Sequence, residues 1–390
     1  MGNSTLPKPS FPALTGLRAV FILWVMFVHL SRKAVPGFLL SAHENWSFGV
    51  DGFFAISGFL VMRSLEQAYS KGMDGGSKAE VVKGYLSRRV SRIWPGYYIT
   101  LLSLGMFACL IRGGLYFQLK QFSSIIPSFL LFYANYVLPP LHREVPLILK
   151  ILWSISFQEQ FYLLLLVLVA IPKENWRAVV LFSVASSIAL RFLSLLIFDL
   201  NSGDHGNRME SWLILNLDAI GWGCLAWLHI RTLRVWLGTQ TRMWVAGLSL
   251  LCVFVLSVTL RSYWPSDPAR AVFCTFRAIS LTGIVVLVSE LDRLSFNAVE
   301  ILNTKLFQFV GMISFEIYLT HIFVYSVLEK SFLKESHGLF LVALPCSVFT
   351  GWMMYRFVSA PANQSMRSLL EGRRELLGFL HVRVGSRSSM

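Results

Sequence analysis

Charge is scarce in this chain: 14% of its 390 residues are Asp, Glu, Lys or Arg, against 55% that are hydrophobic. With a mean hydropathy of +0.59, apolar runs must recur along the whole length, which excludes an ordinary soluble globule and a disordered chain. Cysteine is also scarce. Cys109, Cys224, Cys252, Cys274 and Cys346 stand singly in apolar stretches with no CxxC pair, so they read as small buried hydrophobes rather than a disulfide framework or a zinc site. The eight histidines show neither HExxH nor HxxxH spacing, and no metal is expected. The start lacks a signal-peptide pattern, because its first apolar run carries Arg18 and no small-residue cleavage site follows; a retained span is expected. There is no fixed-period repeat, no low-complexity block and no second soluble domain. Of the two signs of charge the acidic is the rarer, 21 residues against 35 basic ones, leaving a formal net charge of +14. The basic residues fall in short connections between apolar runs, as the positive-inside rule places them, so nucleic-acid binding is not expected.

These properties predict an all-α, polytopic integral membrane protein of about ten transmembrane helices. Candidate spans lie at 13–31, 48–66, 93–111, 149–171, 177–198, 212–229, 243–261, 271–290, 306–328 and 338–357. A further stretch at 123–138 carries Pro127 and Asn135 and ends in Pro139 and Pro140, which fits an interfacial or re-entrant piece better than a spanning helix. Lys71, Lys78, Lys83, Arg88 and Arg89 mark the loop between Arg63 and Arg92 as cytoplasmic. Ten spans then put the other basic loops and both termini on that side. The expected division is a transmembrane domain over 11–361 and a basic, amphipathic cytoplasmic tail over 362–390, solvated or bound to headgroups.

Inside the apolar runs, polar residues stand out. Arg18 and His29 are eleven residues apart, nearly one helix face and ~16 Å along the axis; an intramembrane Arg and His mark a pathway or reaction centre unless His29 only marks the water interface. FGVDGFFAISGFLV puts Asp51 at the outer start of the second span, followed by Gly52 and Gly58, which permit close helix approach. A short hairpin brings Asp51 and His29 to the same end. In YLSRRVSRIWPGYY, Arg88, Arg89 and Arg92 precede the third span, and Arg88 and Arg92 are expected to share a helix face. Ordinary anchoring explains them, and so does a guanidinium cluster for the phosphates of a nucleotide-bearing ligand. WSISFQEQFYL gathers Trp153, Ser154, Ser156, Gln158, Glu159 and Gln160, and a carboxylate there needs a partner or a proton. In FVGMISFEIYLTHIFV, Glu316 lies inside the span, and Tyr318 and His321 share a face; a structural hydrogen bond and a chemical role for His321 are equally open.

Taken in order, these five stretches resemble the membrane-bound acyltransferase family 3, over about residues 11–361. Three departures stand out: Thr15 in the opening LTGLRA, Asn216 where the family commonly has arginine, and Ser359 with Ala360 before Pro361 in place of a glutamate. A stand-alone form is expected, without the esterase-like domain fused to some relatives. The resemblance implies transfer of an acyl group, by default acetyl, from cytoplasmic acyl coenzyme A to a hydroxyl of a sugar, cell-surface glycan such as lipopolysaccharide or exopolysaccharide, or lipid-linked saccharide. The expected setting is a bacterial inner membrane.

On that resemblance Arg88, Arg89 and Arg92 hold the donor phosphates and Arg18 guides the pantetheine arm. His29 acts as general base or carries the acyl group transiently, and Glu159 or Asp51 orients its ring. Trp153, Ser156, Gln160, Tyr318 and His321 are the expected acceptor-side residues. Expected partners are acyl coenzyme A, the glycan or lipid-linked acceptor and membrane lipids; a homo-oligomer stays open. The alternative is a transporter or flippase for a lipid-linked or acylated saccharide, since intramembrane Arg, His and Glu also mark transport routes. A third is a non-catalytic scaffold.

Overall fold

Apolar sequence broken by Gly, Pro and basic loops gives helices throughout. The computed structural model describes residues 11–30, 35, 48–73, 77–111, 123–139, 147–197, 208, 211–263, 267–328 and 339–370. Among them there is no strand. The first helices are α1 (Pro12–Val28), α2 (Phe48–Met73) and α3 (Lys78–Ile111). Then come α4 (Trp153–Leu164), α5 (Trp176–Ile197), α6 (Asp218–Leu228), α7 (Gln240–Tyr263) and α8 (Asp267–Arg293). The last are α9 (Lys305–Met312), α10 (Ser314–Leu328), α11 (Leu339–Met354) and α12 (Ala360–Leu370).

Each of the ten expected stretches coincides with helix. Among the described residues six helical stretches are long and apolar enough to cross a membrane, or seven if α9 and α10, bent by 74° at Ile313, count as one span. The other three stretches fall in α1, which is apolar but has 17 residues; in the second half of the 34-residue α3; and around the 11-residue α6. The stretch at 123–138 is two short helices, Ile126–Leu130 and Ala134–Val137, joined through Phe132 at φ 55°. Neither is long enough to span a bilayer. Its exposed carbonyls are met by side chains instead: Tyr97 donates to Phe129 (2.9 Å), Tyr98 to Leu130 (2.8 Å) and Gln160 to Phe132 (2.5 Å). Irregular backbone in an apolar setting requires this.

Pro12 at the first turn opens α1 without a lost hydrogen bond, and the helix is buried along most of its length, with Phe21, Ile22, Val25 and Met26 in the core. Beside it α2 approaches closely at Gly52, which faces the Phe21 ring. On its other side α2 meets α6: a Cβ on Gly58 would overlap the Ile220 carbonyl oxygen, and one on Gly223 the Ala55 carbonyl oxygen. Glycine alone allows backbones this near. By contrast α7 and the α11–α12 arm expose most of their length. On α7 this corrects one expectation: Cys252 is exposed, whereas Cys224 and Cys274 are buried and Cys346 is intermediate. The side chain of Cys109 lies outside the described residues, as do Arg373, Arg374, Arg383 and Arg387 of the expected tail.

Two buried ion pairs, not foreseen in the sequence, tie the helices around α2 and α6. Arg277 of α8 bonds Asp51, and Arg191 of α5 bonds Asp218. Arg191 also donates to Leu215 O (2.7 Å), Thr275 Oγ1 (2.8 Å) and Asn216 Oδ1 (3.3 Å). At the position where an arginine was expected, Asn216 thus accepts from a guanidinium supplied by α5.

Candidate active site

Helix α1 is unbroken to Val28 and His29 caps it, so the axial separation of Arg18 and His29 is close to the ~16 Å of an ideal helix. At Arg18 two cavities adjoin and share Arg18, Arg92 and Phe315. The larger, of about 680 Å³, is lined by Thr15, Lys305, Glu316, Tyr355 and Ser359 as well. Three cationic side chains, Arg18, Arg92 and Lys305, face one carboxylate, Glu316, so the lining favours an anion. The smaller, of about 90 Å³, adds Arg89, Ser154, Gln158, Tyr162 and Tyr318.

The cationic wall is built from helix spacing. Arg89 and Arg92, three residues apart on α3, both reach the smaller cavity, and the Arg89 guanidinium lies 5.2 Å from the Tyr162 ring centroid. Arg88 departs from its expected role: its Nε donates to Ser64 Oγ of α2 at 3.3 Å, and it lines neither cavity. Helix periodicity alone does not account for this, since Arg88 stands about 40° round the helix from Arg92 and Arg89 about 60° from it; the Ser64 hydroxyl of α2 holds Arg88 away.

The smaller cavity ends at Ser154 and Tyr318. The Tyr318 hydroxyl donates to Ile151 O (2.5 Å) and is 2.7 Å from Ser154 Oγ, joining α10 to the turn before α4. One turn further along α10, His321 is fully buried. Its Nε2 is 3.2 Å from His29 Nδ1, and its Nδ1 is 2.8 Å from Tyr318 O and 3.1 Å from Ile317 O. The Tyr325 hydroxyl donates to Met26 O at 2.8 Å, fixing α10 against the end of α1 that carries His29.

The structure corrects the expected role of Glu159. It is buried, but its Oε2 accepts from Trp94 Nε1 at 2.8 Å and its Oε1 has no hydrogen-bond partner. Neither oxygen bonds the His29 ring. Asp51 lies in the first turn of α2, with Arg277 as its ion-pair partner. Gln160 is likewise committed elsewhere, to Phe132 O and to Asn135 Oδ1 at 2.7 Å. Trp153 packs edge-on against Phe54 and Phe157, and Ser156 is fully buried. Of the expected acceptor-side residues, Tyr318 lines the cavity and His321 contacts His29. Lys305, Trp94 and Arg277 were missed: a lone Lys at a helix end reads as anchoring and a Trp as membrane-interface packing, whereas Arg277, inside the candidate span 271–290, was a signal that an intramembrane charge supplies. Among the described residues no cluster of three His, Cys, Asp or Glu could hold a metal ion.

Over 398 aligned residues the chain is 24% identical to the "Putative O-acetyltransferase" of Staphylococcus aureus strain COL, covering 90% of this chain and 57% of that protein, and equally so to the one of strain MSSA476. It is also 24% identical over 289 residues to the O-acetyltransferase OatA of Staphylococcus aureus strain NCTC 8325 / PS 47, covering 71% of this chain and 40% of OatA. The chain thus spans little more than half the length of the first two relatives. No solved structure matches it. The family model described as an acyltransferase domain matches residues 11–356, from the start of α1 to the turn after α11. The smaller cavity, the histidine pair and all of the larger cavity's lining except Ser359 and Asn363 fall inside that match, and the chain belongs to the acyltransferase domain family.

Proposed function

We propose that this chain is a membrane-embedded O-acyltransferase that moves an acyl group, acetyl by default, from cytoplasmic acyl coenzyme A to a hydroxyl of a sugar, cell-surface glycan or lipid-linked saccharide at a bacterial inner membrane. The observation that carries the reading is a succession of groups: a cationic cavity at Arg92 and Lys305, an adjoining smaller one at Arg18, Arg89 and Tyr318, and, three residues beyond Tyr318 on α10, His321 in contact with His29. The larger cavity, about 680 Å³, falls in the range of about 300–1,000 Å³ usual for small-molecule sites. Guanidinium groups suit phosphates through paired charge-assisted hydrogen bonds. The O-acetyltransferase names of the relatives support the acetyl default.

In this reading Arg89, Arg92, Lys305 and Arg18 hold the donor's anionic end, and the acyl thioester reaches past Tyr318 toward His29. His29 takes the proton of the acceptor hydroxyl as its oxygen attacks the thioester carbonyl. The carbon–sulfur bond breaks, and the departing thiolate takes that proton back from His29. The products are an O-acyl ester and coenzyme A thiol. A general base of this kind contributes roughly 10²–10⁴ in rate.

The test incubates purified protein in lipid with radiolabelled acetyl coenzyme A and candidate glycan acceptors, comparing wild type, His29→Ala and Glu159→Gln, with folded protein measured alongside. Label transfer by wild type that falls about 10²-fold or more in folded His29→Ala supports the reading. Glu159→Gln, whose amide oxygen can still accept from Trp94, is expected to lose much less. No binding or turnover of any acyl coenzyme A, across acceptors and chain lengths, overturns it in favour of transport.

A further inference from the structure

His321 is 292 positions from His29 in sequence, yet their rings meet, with centroids 5.1 Å apart. Its hydrogen bonds decide where the protons of both rings sit. The Nδ1 atom of His321 faces two backbone carbonyl oxygens, of Tyr318 and Ile317. A carbonyl can only accept, so this nitrogen carries the hydrogen. In a neutral ring the other nitrogen, Nε2, then has the lone pair. Its contact with His29 Nδ1 at 3.2 Å is a hydrogen bond only if His29 is the donor. That holds the His29 hydrogen on Nδ1 and leaves the lone pair on Nε2.

Building on the acyl-transfer reading, we propose that His321 is a positioning residue for His29: it fixes the Nδ1–H tautomer, so that Nε2 is the atom that takes the acceptor's proton. When Nε2 is protonated, the Nδ1–H bond to His321 stays and orients the imidazolium. A carboxylate plays this part in the familiar triad; here a neutral imidazole does it, without burying a charge. The surroundings hold the accepting ring in place. Besides the two carbonyls, Tyr325 meets the His321 ring at 90° with centroids 5.8 Å apart, and Tyr318 lies at the same distance on the same helix.

The experiment uses the full chain in lipid nanodiscs with ¹⁵N-labelled histidine, the His29 signals being assigned by their loss in His29→Gln. Nitrogen shifts separate a protonated ring nitrogen from one with a lone pair. In wild type, protonated Nδ1 and bare Nε2 are expected on His29. In His321→Leu the His29 proton should redistribute toward Nε2, with kcat falling about 10²-fold and donor KM within about threefold. In His321→Gln, whose amide oxygen can accept from Nδ1–H, the wild-type tautomer and most of kcat should return. His29 of wild type protonated on Nε2 and bare on Nδ1 overturns the proposal, as does a folded His321→Leu with wild-type kcat. The wild-type spectrum decides the matter even if His321→Leu does not fold. The spectrum needs no turnover, so a wild type inactive with every acceptor defeats the acyl-transfer reading and leaves the tautomer result standing apart from it.

Discussion

Arg88, Arg89 and Arg92 are equivalent in composition and different in contact. Arg89 and Arg92 line the smaller cavity together with Arg18, while Arg88 turns to Ser64. A charge-assisted hydrogen bond contributes about 1.5–3 kcal/mol, or roughly 10- to 100-fold in affinity. Arg89→Ala and Arg92→Ala should therefore each raise the donor KM by about that factor, and Arg88→Ala by less than about threefold. Steady-state kinetics over a range of acyl coenzyme A concentrations measures it, and equal effects at all three positions would contradict the placement of Arg88. The sequence marked the cluster as a whole. Which two of three arginines share the cavity depends on how α3 is rotated against α4 and α10, and the composition of the cluster does not encode that rotation.

At the scale of elements, the stretch at 123–138 rests on its neighbours. It consists of helices of 5 and 4 residues, too short to be stable alone, and Gln160 of α4 bonds both Phe132 O and Asn135 Oδ1. Asn135 in turn donates to Ser211 O at 3.1 Å. Gln160→Leu leaves those groups without their donor, at a cost of about 1–3 kcal/mol each. The expected outcome is a lower midpoint in thermal unfolding of the lipid-reconstituted protein, with the donor KM unchanged. A selective rise in acceptor KM at unchanged stability would return Gln160 to the acceptor site that its neighbours in WSISFQEQFYL suggested. Pro127, Asn135 and the prolines after it were enough to argue against a spanning helix. That Tyr97, Tyr98 and Gln160 cap its carbonyls was not visible, because the partners come from other helices.

Across the whole molecule, buried ion pairs join helices distant in sequence: Arg277 with Asp51, and Arg191 with Asp218. Arg191 and Asp218 are both almost wholly excluded from solvent. Removing one partner of such a pair strands a buried charge and costs about 3–5 kcal/mol, whereas replacing both by apolar residues of similar size is often neutral. Arg191→Met should thus lower the yield and thermal midpoint of folded protein sharply, and Arg191→Met with Asp218→Leu should recover most of the loss. Size-exclusion profiles and thermal unfolding of the three forms check this; a double variant as unstable as the single one would show that the remaining bonds of Arg191, to Leu215 and Thr275, carry the stability instead.

The sequence by itself determined an all-helical membrane chain, where its helices fall, and that Arg18 and His29 project from one face of the first, because apolar runs and a period of 3.6 residues are local properties. Only the tertiary structure decided that His29 meets His321 rather than Glu159, that Glu159 is held by Trp94, and that Asp51 and Asp218 are answered by Arg277 and Arg191. These pairs lie 292, 65, 226 and 27 residues apart. Periodicity states which way a side chain points from its own helix. What it meets there depends on how near two helices come and at what angle, which at α2 and α6 is set by Gly58 and Gly223 against the opposing carbonyls.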